Sequence, residues 1–212
     1  MIRTFVIVRH GNTFAEHEVP RRIGARTDLP LVASGREQAL QLGRWFAEQG
    51  WRFNTILCSP LQRTRETAEA IRSAFDDAPI VIPAPLLAEI DHGIDEDRIE
   101  SDVIDRIGSD ARTAWETHGD APPGWSVDAS ARLTGWRALF AVPTPTPTPT
   151  QPAHSTTLLV TSNGAARFAL LADDALMTQA RTLPSLKLRT GAFGIIRIDD
   201  AGAQLVAWDR RP

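Results

Sequence analysis

Four short stretches carry residue types that could do chemistry together. "VRHGN" (8–12) ends an apolar run on Arg9, His10 and Gly11. "SPLQR" (59–63) brings Arg63, "SNG" (162–164) brings Asn163, and "LLAEIDHG" (86–93) brings Glu89. A neutral imidazole nitrogen in line with a phosphorus atom is a competent nucleophile. Two guanidinium forks suit the oxygens of a phosphoryl group, whose charge must be met in the transition state. A departing alkoxide needs a proton, which Glu89 can bring as general acid; Asp91, two residues on, is its rival. Each signal is weak alone, since a strand-end histidine or a helix-start arginine is usually structural. Their combination carries the weight.

Such groups meet only if the elements beneath them converge. "FVIV" (5–8), "TILCS" (55–59) and "TTLLVTS" (156–162) are apolar, β-branched runs that predict strands covered on both faces, as in a parallel sheet. "IVIPAP" (80–85) predicts a shorter strand, and "FGIIRID" (193–199) and "AQLVAW" (203–208) flank a "DAG" hairpin turn. Helices are expected between them. Ser34 and Glu37 have capping-box spacing and open a helix through about Glu48. Ser59-Pro60 starts another, with Gln62 at a second capping-box position, running to about Phe75. Arg98–Thr117, Ala129–Phe140 and a short stretch after Gly164 follow. Alternating strands and helices predict an α/β three-layer sandwich, a central mostly parallel sheet with helices on both faces. Ligands of such sheets bind at the carboxyl ends of the strands, where Arg9-His10, Ser59–Arg63 and Ser162–Gly164 all fall. Helix starts there add N–H groups that favour an anion.

The 212 residues suit one domain, 1–212, with 42% apolar residues and a net charge of −3. "PTPTPTPTQP" (143–152) predicts an exposed polyproline-like connector rather than a domain boundary, because a core strand follows it. The charge gives no reason to expect nucleic acid or an anionic membrane as partner. Residues 1–8 lack the zones of a signal peptide, no run reaches membrane-span length, and the one cysteine, Cys58, can form no internal disulfide. A cytoplasmic protein is the expectation. Lys187 is the one lysine against 22 arginines, and no G-x-x-x-x-G-K-[ST] phosphate loop is present. A cysteine-phosphatase loop needs five residues between cysteine and arginine, whereas Cys58 and Arg63 enclose four. Cys58 reads instead as a small core residue. The acidic cluster Asp91, Asp95, Glu96 and Asp97 lacks the histidine spacing of a transition-metal site and reads as a solvated loop; no metal is expected.

These motifs resemble the histidine phosphatase superfamily, in its phosphoglycerate-mutase-like branch. "IVRHGNT" is similar to the nucleophile motif R-H-G-x-T, and "GARTDLPLVASGREQA" (24–39) to G-x-x-D-x-P-L-x-x-x-G-x-x-Q-A. "ILCSPLQRTRETAEAI" (56–71) resembles S-P-L-x-R-x-x-x-T-A, and "LLAEIDHG" resembles L-x-E-x-x-x-G. With "LLVTSNG" and the closing strands, the likeness spans nearly the whole chain. It implies that His10 becomes phosphohistidine, that Arg9 and Arg63 bind the phosphoryl group, and that Glu89 donates a proton and then activates water. It also implies that Asn12 and Thr13 line the pocket, with no cofactor and a small phosphorylated metabolite as substrate.

Two departures matter. The family places a histidine before the glycine of the fourth motif, where this chain has Asn163. Asparagine donates from its amide but carries no charge. Loss of one electrostatic donor costs on the order of 100- to 1000-fold in rate in other enzymes, so slow turnover is expected unless a cation such as His92 compensates. Asn163 remains a phosphate-binding candidate. The family also often continues with G-x-W-E-G after the acid motif, whereas this chain reads Gly93-Ile94-Asp95-Glu96-Asp97. Phosphomonoester hydrolysis is the leading reading. A catalytically impaired phosphate-ligand-binding domain and phosphoglycerate-mutase-type phosphotransfer are the alternatives. The acidic segment argues against the mutase, which is expected to hold a bisphosphate with extra basic residues there. Helices from about Arg98 to Phe140 are expected to form a cap beside the site.

Overall fold

A computed structural model describes residues 2–141 and 154–212. The connector expected at 143–152 lies outside the described residues. Six strands form one sheet: β1 (Ile2–Arg9), β2 (Thr55–Cys58), β3 (Val81–Pro83), β4 (His154–Thr161), β5 (Phe193–Asp199) and β6 (Gly202–Arg210). Their order is β3-β2-β4-β1-β5-β6. The first four run parallel, while β5 and β6 are antiparallel. The helices are α1 (Ala33–Glu48), α2 (Gln62–Arg72), α3 (Glu100–His118), α4 (Ala129–Ala141), α5 (Asn163–Leu171) and α6 (Asp174–Ala180).

The apolar run of β1 is continuous because both faces are covered. Val6 and Val8 pack with Leu42 and Phe46 of α1 and Ala68 and Ile71 of α2. Phe5 and Ile7 face Trp136 and Phe140 of α4, Phe168 of α5 and Leu176 of α6. Fully burying one such side chain contributes roughly 1.5–3 kcal/mol. Two cores on opposite faces make the three-layer α/β sandwich. The register then aligns the strand ends. Arg9 pairs with Thr161 and Cys58 with Val160, so the chain leaves β1, β2 and β4 at nearly the same level.

Several local expectations need correction. α1 begins after Val32 without a side-chain cap, and Glu37 binds Arg44 and Gln41 instead of closing a box with Ser34. α2 starts at Gln62, two residues beyond Pro60, and has no side-chain cap of its own. The Gln62 N–H is met from elsewhere, by Asp28 Oδ1 at 2.6 Å. α3 is broken at Gly108 (φ 78°, ψ 171°), a left-handed backbone that suits a residue without Cβ. α6 was not anticipated; Asp173 caps it through the Ala175 and Leu176 N–H groups. No helix among the described residues is long and apolar enough to cross a membrane.

Candidate active site

His10 follows the last residue of β1, and its N–H extends the ladder to Thr161 O at 3.0 Å. The ring is 3% exposed. Its Nδ1 lies 2.8 Å from Gly11 O, a carbonyl that can only accept. Nδ1 therefore carries the hydrogen, and Nε2 presents a lone pair. Burial, then Arg63 and Arg9, hold the imidazole pKa well below 6.5, so the ring is neutral. The glycine beside it is a packing requirement. A Cβ at Gly11 would stand 2.2 Å from Gly35 O, where α1 crosses the loop.

Arg63 lies in the first turn of α2 and is 0% exposed. Nη1 donates to Thr27 O at 2.6 Å and Nη2 to Gly24 O at 3.0 Å, while Nε has no partner. Thr67, one turn on, donates to Arg63 O at 2.7 Å and accepts the Gly11 N–H at 3.2 Å. It ties the arginine's helix to the histidine's loop. Arg9 donates Nη1 to Leu188 O at 2.8 Å, and its Nε is unpartnered. Burial brings Arg9 to about 10, Glu89 opposing and Arg63 adding to the fall. Among the described residues neither Arg9 nor Arg63 forms an ion pair. Two buried cations acting on one neutral imidazole favour an arriving anion.

Asn163 heads α5, and its Oδ1 accepts the Leu188 N–H at 2.9 Å. That bond turns the amide NH₂ away from Leu188, the residue whose carbonyl holds Arg9. Glu89 reaches the same helix start. Oε2 accepts the Gly164 N–H at 3.0 Å, and Oε1 accepts the Ala165 and Ile90 N–H groups at 3.0 and 2.9 Å. Burial pushes the carboxyl up, but His92, the Gly164 and Ile90 amides and Arg63 outweigh it and hold it below 4.5. Arg132 of α4 fixes the approach by donating to the Leu86, Ala88 and Glu89 carbonyls.

The remaining candidates divide. Asn12 Oδ1 accepts from Thr190 at 2.6 Å and Nδ2 reaches Ser34 Oγ at 3.4 Å, so this amide braces the loop. Thr13 is half-buried just beyond it. His92 is buried with Nδ1 3.6 Å from Glu96 Oε2 and its ring edge-on to Trp125 at 4.5 Å. The acidic cluster is a solvated loop only in part, with Asp97 exposed and the others held by partners. Asp95 is fully buried and binds Arg106 and the Trp125 indole; Asp91 pairs with Arg26, and Asp97 with Arg21. Glu96 accepts from the Gly24 and Arg26 N–H groups and from Thr27 Oγ1. These bonds fasten the segment after Glu89 to the loop that carries Arg63's carbonyl partners. Among the described residues no three His, Cys, Asp or Glu side chains gather as a metal site. Cys58 is buried, and burial pushes its thiol to about 11.

α4 lies against the Pro85–Leu87 turn before Glu89, and the Ser126 N–H donates to Asp91 O at 2.9 Å. α4, after the acid motif, therefore stands beside this edge of the sheet. Thr67, Arg132 and the carbonyls of Gly24 and Thr27 were not anticipated; a carbonyl has no sequence signature, and a helix arginine looks like a surface residue.

A neutral buried imidazole, two buried arginines and a carboxylate at a helix start stand at the carboxyl edge of a mostly parallel sheet, the residue types that phosphoryl-transfer chemistry would use. The profile of the histidine phosphatase superfamily (branch 1) matches residues 5–211, and the chain belongs to that family. It is 26% identical over 203 residues to a 2,3-bisphosphoglycerate-dependent phosphoglycerate mutase of Methylorubrum populi, covering 93% of this chain and 91% of the relative. It is 38% identical over 93 residues to a probable phosphoglycerate mutase of Serratia proteamaculans, where the match spans 44% of this chain and 40% of the relative. In fold it is similar to a mycobacterial glucosyl-3-phosphoglycerate phosphatase, with TM-score 0.73, 20% identity and coverage of 99% and 100% of the two chains. It is also similar to a putative α-ribazole-5'-P phosphatase of Escherichia coli K-12, with TM-score 0.68, 23% identity and coverage of 98% and 96%.

Proposed function

We propose that the protein hydrolyses small phosphomonoesters through a phosphohistidine at His10. The single observation that carries this reading is the Nδ1 contact to Gly11 O, which leaves the Nε2 lone pair for a nucleophilic role on a ring that two buried cations keep neutral. Nε2 attacks phosphorus as the ester oxygen departs opposite it. Arg9 and Arg63 meet the charge on the equatorial oxygens, and the Asn163 amide adds a neutral donor.

Glu89 carries the proton in both halves. Its three N–H bonds keep it a carboxylate without ligand, the form that activates water in the second half. A phosphate dianion arriving alongside raises its proton affinity by like-charge repulsion. The proton that Glu89 gives the leaving alkoxide is therefore taken up from solvent as the dianion binds, and the water that attacks phosphohistidine restores it.

Mutase-type phosphotransfer is the second reading, favoured by the similarity to the bisphosphoglycerate-dependent mutase. Against it stands the segment after Glu89, whose Asp91, Asp95 and Asp97 already occupy Arg26, Arg106 and Arg21. An aryl phosphate and a panel of phosphorylated metabolites, assayed with wild type and His10→Ala, test the hydrolase reading. Release of inorganic phosphate by wild type alone supports it. Rapid 2-phosphoglycerate formation from 3-phosphoglycerate and bisphosphoglycerate overturns it in favour of the mutase, and ligand binding without turnover favours the binding domain.

A further inference from the structure

Arg167 has no role in the steps above, yet it is 0% exposed, as Arg63 is. It lies on α5 four residues after Asn163, one turn along the same helix face. Helical side chains lean toward the N-terminus, and at that end of α5 stand Asn163 and the Glu89 carboxylate bonded to Gly164 and Ala165. The guanidinium lies 3.7 Å from the Trp115 ring centroid, and Nη1 donates to Trp115 O. Nε and Nη2 have no partner. Burial lowers its pKa to about 9, with Glu89 and then Glu116 opposing the fall and Arg22 and Arg9 adding to it, so it stays a cation at neutral pH.

A buried charge with two unused donors is costly until a counter-charge comes near. The charges felt at Arg167 include Glu89 and Arg9, both of the His10 site. Any charge on His92 is already met by Glu96, whose Oε2 sits 3.6 Å from its Nδ1. We infer that Arg167 is the third cation of the phosphoryl pocket, supplying from one helical turn below the positive charge that the neutral Asn163 amide does not carry. This rests on the phosphoryl-transfer reading of the His10 site. Arg167 is a positioning residue: it acts through the field across the pocket and on Glu89, without touching the phosphoryl group. The rate loss expected from Asn163 alone is then largely offset.

Orthovanadate, which adopts the five-coordinate geometry of a transferring phosphoryl group, is the probe, with affinity measured by calorimetry. Arg167→Met is expected to weaken binding about tenfold or more, and Arg167→Lys to stay within about threefold. In an Asn163→His background, Arg167→Met is expected to cost less than about threefold, because the imidazolium supplies the same charge. Equal losses in both backgrounds, or no loss in either, would overturn the inference, since a merely structural arginine is indifferent to the residue at 163. If Arg167→Met does not fold, Asn163→His alone decides. A gain in vanadate affinity under about threefold supports a charge already present, and a gain of about tenfold or more overturns it. Wild type that binds vanadate without turning over any phosphomonoester would defeat the hydrolase reading and leave this inference standing.

Discussion

The Glu89 carboxylate accepts the Gly164 N–H at 3.0 Å, so the group proposed to carry the proton is also the group that caps α5. Catalysis and stability are coupled there. Glu89→Gln places an amide NH₂ against N–H groups that need an acceptor. The expected result is a loss of about 1–3 kcal/mol in unfolding free energy together with a fall in turnover of about 100-fold or more. Denaturant melts and steady-state kinetics check both; loss of activity with unchanged stability would contradict the capping role.

Arg63 grips two carbonyls at once, Gly24 O and Thr27 O, with the two ends of its planar fork. An ammonium is a point charge and cannot reproduce that geometry. Arg63→Lys is therefore expected to lower kcat/KM by about 100-fold or more while keeping the fold, as read by circular dichroism and kinetics. Retention of near wild-type kcat/KM would show that charge alone suffices.

Gly11 faces Gly35 O across a gap that a Cβ would close to 2.2 Å. Gly11→Ala must push α1 away or shift His10, and about 1–3 kcal/mol of destabilisation is expected from such overpacking. A drop in Tm with loss of aryl phosphatase activity is the outcome to look for. An unchanged Tm would mean that this approach is looser than described.

Acid sensitivity follows from Glu96. Burial raises its carboxyl, but hydrogen bonds from His92 and Thr27 outweigh that and bring it from 4.5 to about 2. A folded-state value below the unfolded one stabilises above the unfolded pKa and is lost as pH falls through the folded one. Its contribution is thus full above 4.5 and disappears toward pH 2. Glu96→Gln should flatten the dependence of Tm on pH across this window, as measured by scanning calorimetry. An equally steep profile in the variant would assign the acid sensitivity elsewhere.

Much of this was legible in the chain. β1 announced itself because both its faces are buried, so Phe5 through Val8 are all apolar. The β5–β6 hairpin was marked by its turn residues. His10, Arg63, Asn163 and Glu89 could be placed on one edge because each follows or heads an element of that edge. The capping boxes failed for local reasons: Ser34 lies inside α1 rather than before it, and α2 receives its cap from Asp28, far away in sequence. Arg132 and Arg167 were illegible because burial of a helix arginine depends on the partner helix, which no spacing reveals. The ties from Asp91, Glu96 and Asp97 to residues 21–27 likewise exist only once the two loops meet.

His10 itself gives the most direct measurement. Wild type mixed with substrate, quenched in alkali and analysed by peptide mass spectrometry should carry one phosphoryl group on His10, stable in base and lost in acid, with none in His10→Ala. Label on Cys58 or on a serine, or steady turnover with no label on His10, would contradict the phosphohistidine route.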